Sequence, residues 1–434
     1  MRLFPRLAAL DGLLLDSTLK GYPGTAAPVA LGAIAERRYN VLAEDLPFPV
    51  AVLKASSLAH NRATMQRFLA ATGVKLSPHG KTTMSPQLFA LQLADGAFAI
   101  TCATSSQLQV YRRFGIRRVL MANQVVGRQA IDYILGEIAA DPDFELYLLV
   151  DSVEGVARLA HAAARAAVQR PLRVLIEVGA AGARTGARTL AVVDALIEAV
   201  LAAGPWLALH GVEAFEDVIA APPEERERAI RELLALELEA GVRARRAAPR
   251  ATPFILSAGG SAYFDLAAAL LGGGAAALEA TVVLRSGCYL THDHGTYATA
   301  ETLRRARAAQ PAAAATRFEP ALEVWSQVQS RPEPARAYLT AGKRDVSFDL
   351  DLPLPVAWLR PGVHAGPQPL DGTHRIVRLN DQHAHLELPA SSPLAVGDLV
   401  ALGISHPCTT FDRWQLIYVV DEHYTVIDAL RTFF

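Results

Sequence analysis

The chain is poor in cysteine, in excess charge and in long apolar runs, and each lack closes off a class of protein. Its three cysteines, Cys102, Cys288 and Cys408, are odd in number and far apart. That excludes a disulfide framework and fits a reducing cytoplasm. Lysine and arginine total 42 against 43 aspartates and glutamates, a formal net charge of -1. Nothing electrostatic therefore calls for nucleic acid or an anionic membrane as partner. No segment approaches the ~18 uninterrupted apolar residues of a membrane span. The richest stretch, Ala262–Ala277, contains Asp265 and reads as a buried helix and turn. Arg2 and Arg6 precede an apolar run, but Asp11 and Asp16 interrupt it and no small-residue cleavage site follows, so no signal peptide is expected.

What remains is a chain of 434 residues, 51% hydrophobic and 20% charged, long enough for two domains with large cores. Residues 1–49 read as a partly helical arm, mostly helical over residues 1–44, that packs with a later module. After Pro47-Phe48-Pro49 comes a β-type run, Val50-Ala51-Val52-Leu53, and then a helix from Ser57 to about Thr72. A regular beat follows. Apolar runs at Val74–Lys81, Phe98–Ala103, Arg118–Asn123, Leu146–Asp151, Arg173–Val178, Leu207–Ala214, Phe254–Ser257 and Ala280–Leu284 alternate with helical stretches such as Gly127–Ile138 and Glu224–Arg246. Strand–helix alternation with short connections implies right-handed βαβ units and a parallel sheet. Eight such units over residues 50–300 match an α/β fold of the (β/α)8 barrel type; a doubly wound sheet is the alternative. The Ala/Arg/Pro-rich stretch Arg304–Thr316 reads as a poorly packed connection. Beyond it, alternating runs at Ala321–Gln329, Ala335–Thr340, Thr373–Leu379, His383–Leu388, Asp398–Ile404 and Gln415–Val420 predict an all-β domain over residues 301–434, which the run at Val50 can join.

Active sites of (β/α)8 barrels gather at the C-terminal ends of the strands. Here those ends carry His79 and Lys81 on the first strand, Asn123-Gln124 on the third and Asp151 on the fourth. Arg184 follows the fifth, and Glu213, Phe215 and Glu216 the sixth. Gly259-Gly260-Ser261 follows the seventh, and Arg285-Ser286-Gly287-Cys288-Tyr289 the eighth. Glycines between a strand and a helix allow a phosphate to approach free backbone N–H groups; a tight turn with a serine cap uses the same residues. A lysine, a phosphate cradle and the arginines Arg184 and Arg285 around one mouth suggest a cofactor that is both aldehyde and phosphate, pyridoxal 5′-phosphate.

The β-domain adds His406-Pro407-Cys408. On an extended chain residues i and i+2 point to one side, so an imidazole and a thiolate there could share a Zn²⁺ ion and leave positions open. The clusters His292-Asp293-His294 and His383 with His385 are rivals, equally readable as loop or surface histidines.

The order of parts resembles fold-type III pyridoxal-phosphate enzymes, whose barrel is that of the alanine racemase N-terminal domain followed by a β-domain. Within that group it is most similar to the D-serine dehydratase and D-threonine aldolase family. The resemblance rests on Pro78-His79-Gly80-Lys81-Thr82, Gly259-Gly260-Ser261, Arg285-Ser286-Gly287-Cys288-Tyr289 and His406-Pro407-Cys408-Thr409. Leu290-Thr291-His292-Asp293-His294-Gly295 resembles the subgroup labelled amino-acid deaminase. The resemblance implies that Lys81 carries the cofactor and acts as proton-transfer base. Gly259, Gly260 and Ser261 would bind phosphate with Tyr289 nearby, Arg184 would face the phenolic oxygen, and Arg285 the ring nitrogen. His79 would neighbour the cofactor, and Phe215 stands where racemases have a ring-stacking histidine. His406 and Cys408 would hold zinc. The implied activity is dehydration of a D-3-hydroxyamino acid to a 2-oxo acid and ammonia by a homodimer. D-threonine aldolase-type cleavage is the alternative, and a non-catalytic pyridoxal-phosphate carrier or a metal hydrolase are the outsiders.

Overall fold

A computed structural model describes residues 7–248, 251–307 and 311–434. Eight parallel strands form one sheet: β1 (Lys75–Leu76), β2 (Ile100–Cys102), β3 (Arg118–Gln124), β4 (Glu145–Val150), β5 (Leu172–Val178), β6 (Leu207–Ala214), β7 (Phe254–Ala258) and β8 (Ala280–Leu284). From β2 to β8 each strand pairs with its sequence neighbour, and β1 pairs with β8. The ring closes between β1 and β2, where Phe98 N–H donates to Leu76 O at 2.7 Å and His79 bridges Thr101. The fold is thus the expected barrel, with no reversal of strand order. Helices such as Arg128–Ala140 and Pro223–Ala247 lie between successive strands, their ends within two residues of the predicted Gly127–Ile138 and Glu224–Arg246.

Side chains alternate across each strand, and the alternation divides the barrel into layers. Leu120, Tyr147, Leu149, Leu175, Ile255 and Val283 form a small inner apolar cluster. Two residues further along the same strands or just past them, on the same face, come Glu177, Ser257 and Arg285. Glu213 lies abreast of both Glu177 and Ser257 in the register. An apolar floor therefore supports a charged upper layer.

The second unit is a ten-stranded sheet. Its long strand Leu322–Glu333 pairs antiparallel with Leu399–Gly403 and with Val50–Lys54, and the latter runs parallel to Leu416–Val420. The early run at Val50 belongs to this sheet and not to the barrel. Strands Leu354–Leu359 and Val426–Arg431, which carry weak alternation, complete what the sequence left unread.

Two expectations need correction. The arm is largely irregular: Ala8–Asp11 and the 3-10 segment Leu31–Arg37 are its helical pieces. Its apolar residues Leu10, Leu15, Tyr22, Leu31 and Ile34 pack individually against Trp325, Leu399 and Tyr418 of the sheet, so burial is met without a continuous helical face. Its first six residues lie outside the described residues. The stretch Arg304–Thr316 is not loosely packed either. Helix Thr296–Arg307 and the turn Pro311–Ala315 are joined through buried Arg304, which donates to the carbonyls of Ala313 and, at 2.7 Å, Thr316. Residues 308–310 are outside the description.

Candidate active site

Lys81 lies on a 3-10 turn, Gly80–Thr82, that leaves β1 at the C-terminal mouth of the barrel. The turn is held from below. Ser77 and Thr101 hydroxyls meet at 2.8 Å, and Thr101 N–H donates to Pro78 O at 2.9 Å. Gly80 is required there, because a Cβ would come within 2.3 Å of the Tyr111 hydroxyl. Lys81 itself is exposed to the mouth. His79 stands behind it with a buried Nδ1 that has no partner. Burial, and then the charges of Lys81, Arg285 and Arg184, hold this imidazole well below its ordinary pKa. It is a neutral ring among cations.

Across the mouth, Arg285 is only 4% exposed. Its guanidinium donates to Ser257 O and Oγ at 2.8 and 2.7 Å and to Ala214 O at 2.6 Å, and lies 2.8 Å from Glu213 Oε2. Even so, burial outweighs the arginine and pushes the Glu213 carboxyl up to about 8. With both terminal nitrogens committed to protein, Arg285 has little left for a ring nitrogen. Arg184, by contrast, is exposed and 5.2 Å from the Phe215 ring centroid. Its loop is tethered where Thr185 Oγ1 donates to Glu177 at 2.6 Å and Gly186 N–H to Asp151 at 3.0 Å.

The glycine pair after β7 is a real cradle with an unforeseen occupant. Gly259 and Gly260 N–H groups donate to the two carboxylate oxygens of Glu216, at 3.1 and 2.5 Å. Burial raises the Glu216 carboxyl above its ordinary value, and these donors act against that rise. A Cβ on Gly260 would meet Asp217 Oδ2 at 2.2 Å. The chain thus places one of its own anions where anion-binding donors converge. Ser261 Oγ accepts from Cys288 N–H at 3.1 Å. Tyr289 points elsewhere: its buried hydroxyl meets Gln92 at 3.4 Å, among core side chains.

The β-domain brings its own group to this mouth. His406-Pro407-Cys408 is not extended, which corrects the reason given for pairing them. Pro407 has helical angles and Cys408 opens a short helix, Cys408–Phe411. The turn still keeps imidazole and sulfur together, and the Cys288 thiol first, then the histidine, hold the Cys408 thiol well below its ordinary pKa against the opposing effect of burial. Asp349 binds His406 Nδ1 at 2.6 Å and Thr409 Oγ1 at 2.6 Å, which fixes the ring. Cys408 Sγ is 3.6 Å from Cys288 Sγ and 3.4 Å from Thr82 Oγ1, next door to Lys81. Among the described residues no three His, Cys, Asp or Glu side chains converge on one point.

The rival clusters disperse. Asp293 Oδ1 caps helix Thr296–Arg307, accepting N–H groups of Gly295, Tyr297 and Ala298. His292 faces Glu301 at 3.7 Å, and His294 is half-buried, with a buried Nδ1 that has no hydrogen-bond partner. His385 bonds Asn380 at 2.6 Å on the exposed sheet. Sequence reasoning missed Asp349 and the partnership of Cys288; neither has a local motif, since each meets its partner across the fold.

Comparison with known proteins matches residues 321–420 to the family described as "Putative serine dehydratase domain". A D-threonine aldolase from Arthrobacter sp is 25% identical over 377 residues, 86% of this chain and 89% of that protein. These matches make the chain similar to the D-serine dehydratase and D-threonine aldolase family of fold-type III pyridoxal-phosphate proteins. Its fold matches the crystal structure of D-threonine aldolase from Filomicrobium marinum with a TM-score of 0.71 at 22% identity, covering 89% of this chain and 95% of that one. It matches D-threo-3-hydroxyaspartate dehydratase from Delftia sp. HT23 with a TM-score of 0.68 at 20% identity, covering 91% and 99%. A D-threo-3-hydroxyaspartate dehydratase has also been solved with a histidine and, two residues on, a cysteine replaced by alanine, the latter in a metal-free form. No helix among the described residues is long and apolar enough to cross a membrane.

Proposed function

We propose that this protein is a pyridoxal-phosphate- and zinc-dependent lyase that dehydrates a D-3-hydroxyamino acid to a 2-oxo acid and ammonia. The observation that carries the reading is that Thr82, next to Lys81 on the turn after β1, brings its hydroxyl within 3.4 Å of the Cys408 sulfur, so the lysine's turn meets the His406-Pro407-Cys408 segment of the β-domain. The spacing of His406 and Cys408 equals that of the two positions varied in the dehydratase.

The residues fit both groups. Lys81 is the amine for an aldehyde, and Arg184 with the glycine turn at Gly259-Gly260-Ser261 offers the surroundings an anion needs. Glu216 already engages two donors of that turn, so Ser261 and the N-terminal N–H groups of the following helix would be the ones to hold a phosphate, with Glu216 bracing the turn. Cys408 supplies a soft sulfur that favours zinc over harder ions. When bound, pyridoxal phosphate supplies a sink for negative charge at Cα, and zinc a Lewis acid for the β-hydroxyl.

The chain's own residues do the rest. Lys81 Nζ takes the Cα proton on the face of the β1 turn. His79, neutral and buried, places no second cation behind it. Asp349 orients His406, and Phe215 would line the ring's place with a side chain that cannot titrate, where a titrating one would promote racemisation. Among the readings weighed, a carrier needs no metal pair and a hydrolase needs a cluster at His292, which the geometry disperses.

Retro-aldol cleavage is the second reading, favoured by the aldolase among the relatives of known activity. Product analysis separates the two. Pyruvate and ammonia from D-serine, lost on chelation, support the dehydratase; glycine and acetaldehyde from D-threonine without 2-oxo acid would overturn it.

A further inference from the structure

The two sulfurs at the domain seam are 3.6 Å apart. That separation is far too long for a disulfide, near 2.05 Å, and the three cysteines are free. It is close to what a shared metal imposes: two thiolates at Zn–S of about 2.3 Å in a tetrahedron stand roughly 3.7–3.8 Å from each other. Cys288 and Cys408 come from different units, the exit of β8 and the short helix of the β-domain, 120 residues apart. Their approach is therefore a product of the whole fold.

We propose that Cys288 is a third protein ligand of the metal, so that zinc is bound by Cys288, His406 and Cys408 with one position left for the substrate hydroxyl. The proposal rests on the zinc reading above and extends it. Three features support it beyond the distance. Cys288 is 4% exposed, and its N–H donates to Ser261 Oγ at 3.1 Å, which fixes the residue over the mouth. Asp349 engages Nδ1 of His406 at 2.6 Å and leaves Nε2 as the coordinating atom, the usual carboxylate–histidine support of a metal ligand. Thr82 Oγ1, 3.4 Å from one sulfur and 3.9 Å from the other, sits below the pair on the Lys81 turn. The two sulfurs already stand at that separation; the three side chains do not converge on one point in this structure, so the proposal requires the ion to draw the His406 imidazole to the sulfur pair. Two sulfurs and one imidazole with an open fourth position are a recognised catalytic zinc arrangement. The site would clamp barrel to β-domain directly above Lys81.

The test is zinc K-edge absorption on the full-length, cofactor-loaded protein. Two sulfur scatterers at about 2.3 Å support the proposal, and a single sulfur overturns it. In Cys288→Ser the sulfur count should fall to one and zinc affinity, read by competition with a chromophoric chelator, should drop at least about tenfold. Cys102→Ser serves as control and should change neither. Unchanged zinc affinity in Cys288→Ser, with the visible cofactor band intact, removes Cys288 from the site and leaves the His406/Cys408 reading standing. A wild-type protein that binds no zinc sinks both. Should Cys288→Ser fail to fold, the wild-type spectrum decides alone.

Discussion

The barrel mouth and the domain seam are built on opposite plans. In the mouth, each buried charge is tied to a fixed partner: Arg285 to Glu213, Ser257 and Ala214, and Glu216 to two glycine N–H groups. At the seam, Cys288, the pair His406 and Cys408, and Asp349 come from three separate segments and touch mainly one another. A satisfied hydrogen-bond network is rigid before any ligand arrives. Thiol pairs contribute weak bonds, so on the proposed reading the seam would gain its firmness from an ion. The difference suggests that the mouth fixes the cofactor's position, whereas the seam decides the fate of Cβ.

The sharpest way to break this division is at Lys81. Lys81→Ala should lower turnover by roughly 10²–10⁴-fold or more and abolish the visible band of a lysine imine, while zinc content stays at the wild-type level. Retained absorbance with full turnover would defeat the assignment of Lys81, and lost zinc would show that the two regions are not separable.

Next comes the rigidity of the mouth. Arg285→Met removes one partner of a buried ion pair, a change worth about 3–5 kcal/mol. Glu213 is already pushed up to about 8, so at neutral pH it can stay protonated, and the loss should fall near the lower figure. Urea unfolding measures it. A loss below about 1 kcal/mol would mean that the mouth is not the stiff frame described here.

How much of this was legible beforehand follows the range of each interaction. The barrel was readable because strand and helix periods are local, and the strand tips came with it: His79, Lys81, Arg184, Phe215, Gly259, Gly260, Ser261 and Arg285 all lie at or near one end of the ring. What the side chains do there was not. Tyr289 turns to Gln92, Arg285 is consumed by Glu213, and Glu216 fills the glycine turn, because these outcomes depend on packing between strands distant in sequence. The seam was half legible. His406 and Cys408 are neighbours in the chain, but Asp349 and Cys288 join them only through the fold, and Pro407 replaces the expected extended geometry with a helical turn.

The support given to His406 tests the seam by itself. Asp349→Asn keeps the shape but weakens the charge-assisted bond at 2.6 Å to Nδ1. Loss of such a partner costs about 10–100-fold in metal affinity. Equilibrium zinc competition should show that drop with the cofactor band unchanged. Equal affinity in the two proteins would mean that His406 needs no orienting partner.

The smallest effect separates the regions by pH. Glu213 has an ordinary value of 4.5 and is pushed up to about 8 in the fold, chiefly by burial. Between those limits the folded chain holds a proton that the unfolded chain has released, so stability must fall as pH rises from about 4.5 to about 8. His292 and His294, lowered to about 4, act in the opposite sense, losing stability as pH falls through 6.5 toward 4. Asp293, raised to about 7, adds to the first trend. A difference experiment isolates the mouth: urea unfolding of wild type and Glu213→Gln at closely spaced pH values. Glutamine keeps an acceptor for Arg285 and cannot ionise. The variant should gain relative to wild type as pH rises, by about 1 kcal/mol or more at the alkaline end. Parallel curves would show that Arg285 holds Glu213 ionised throughout, and the mouth would then be a buried ion pair instead of a neutral acid beside a fixed cation.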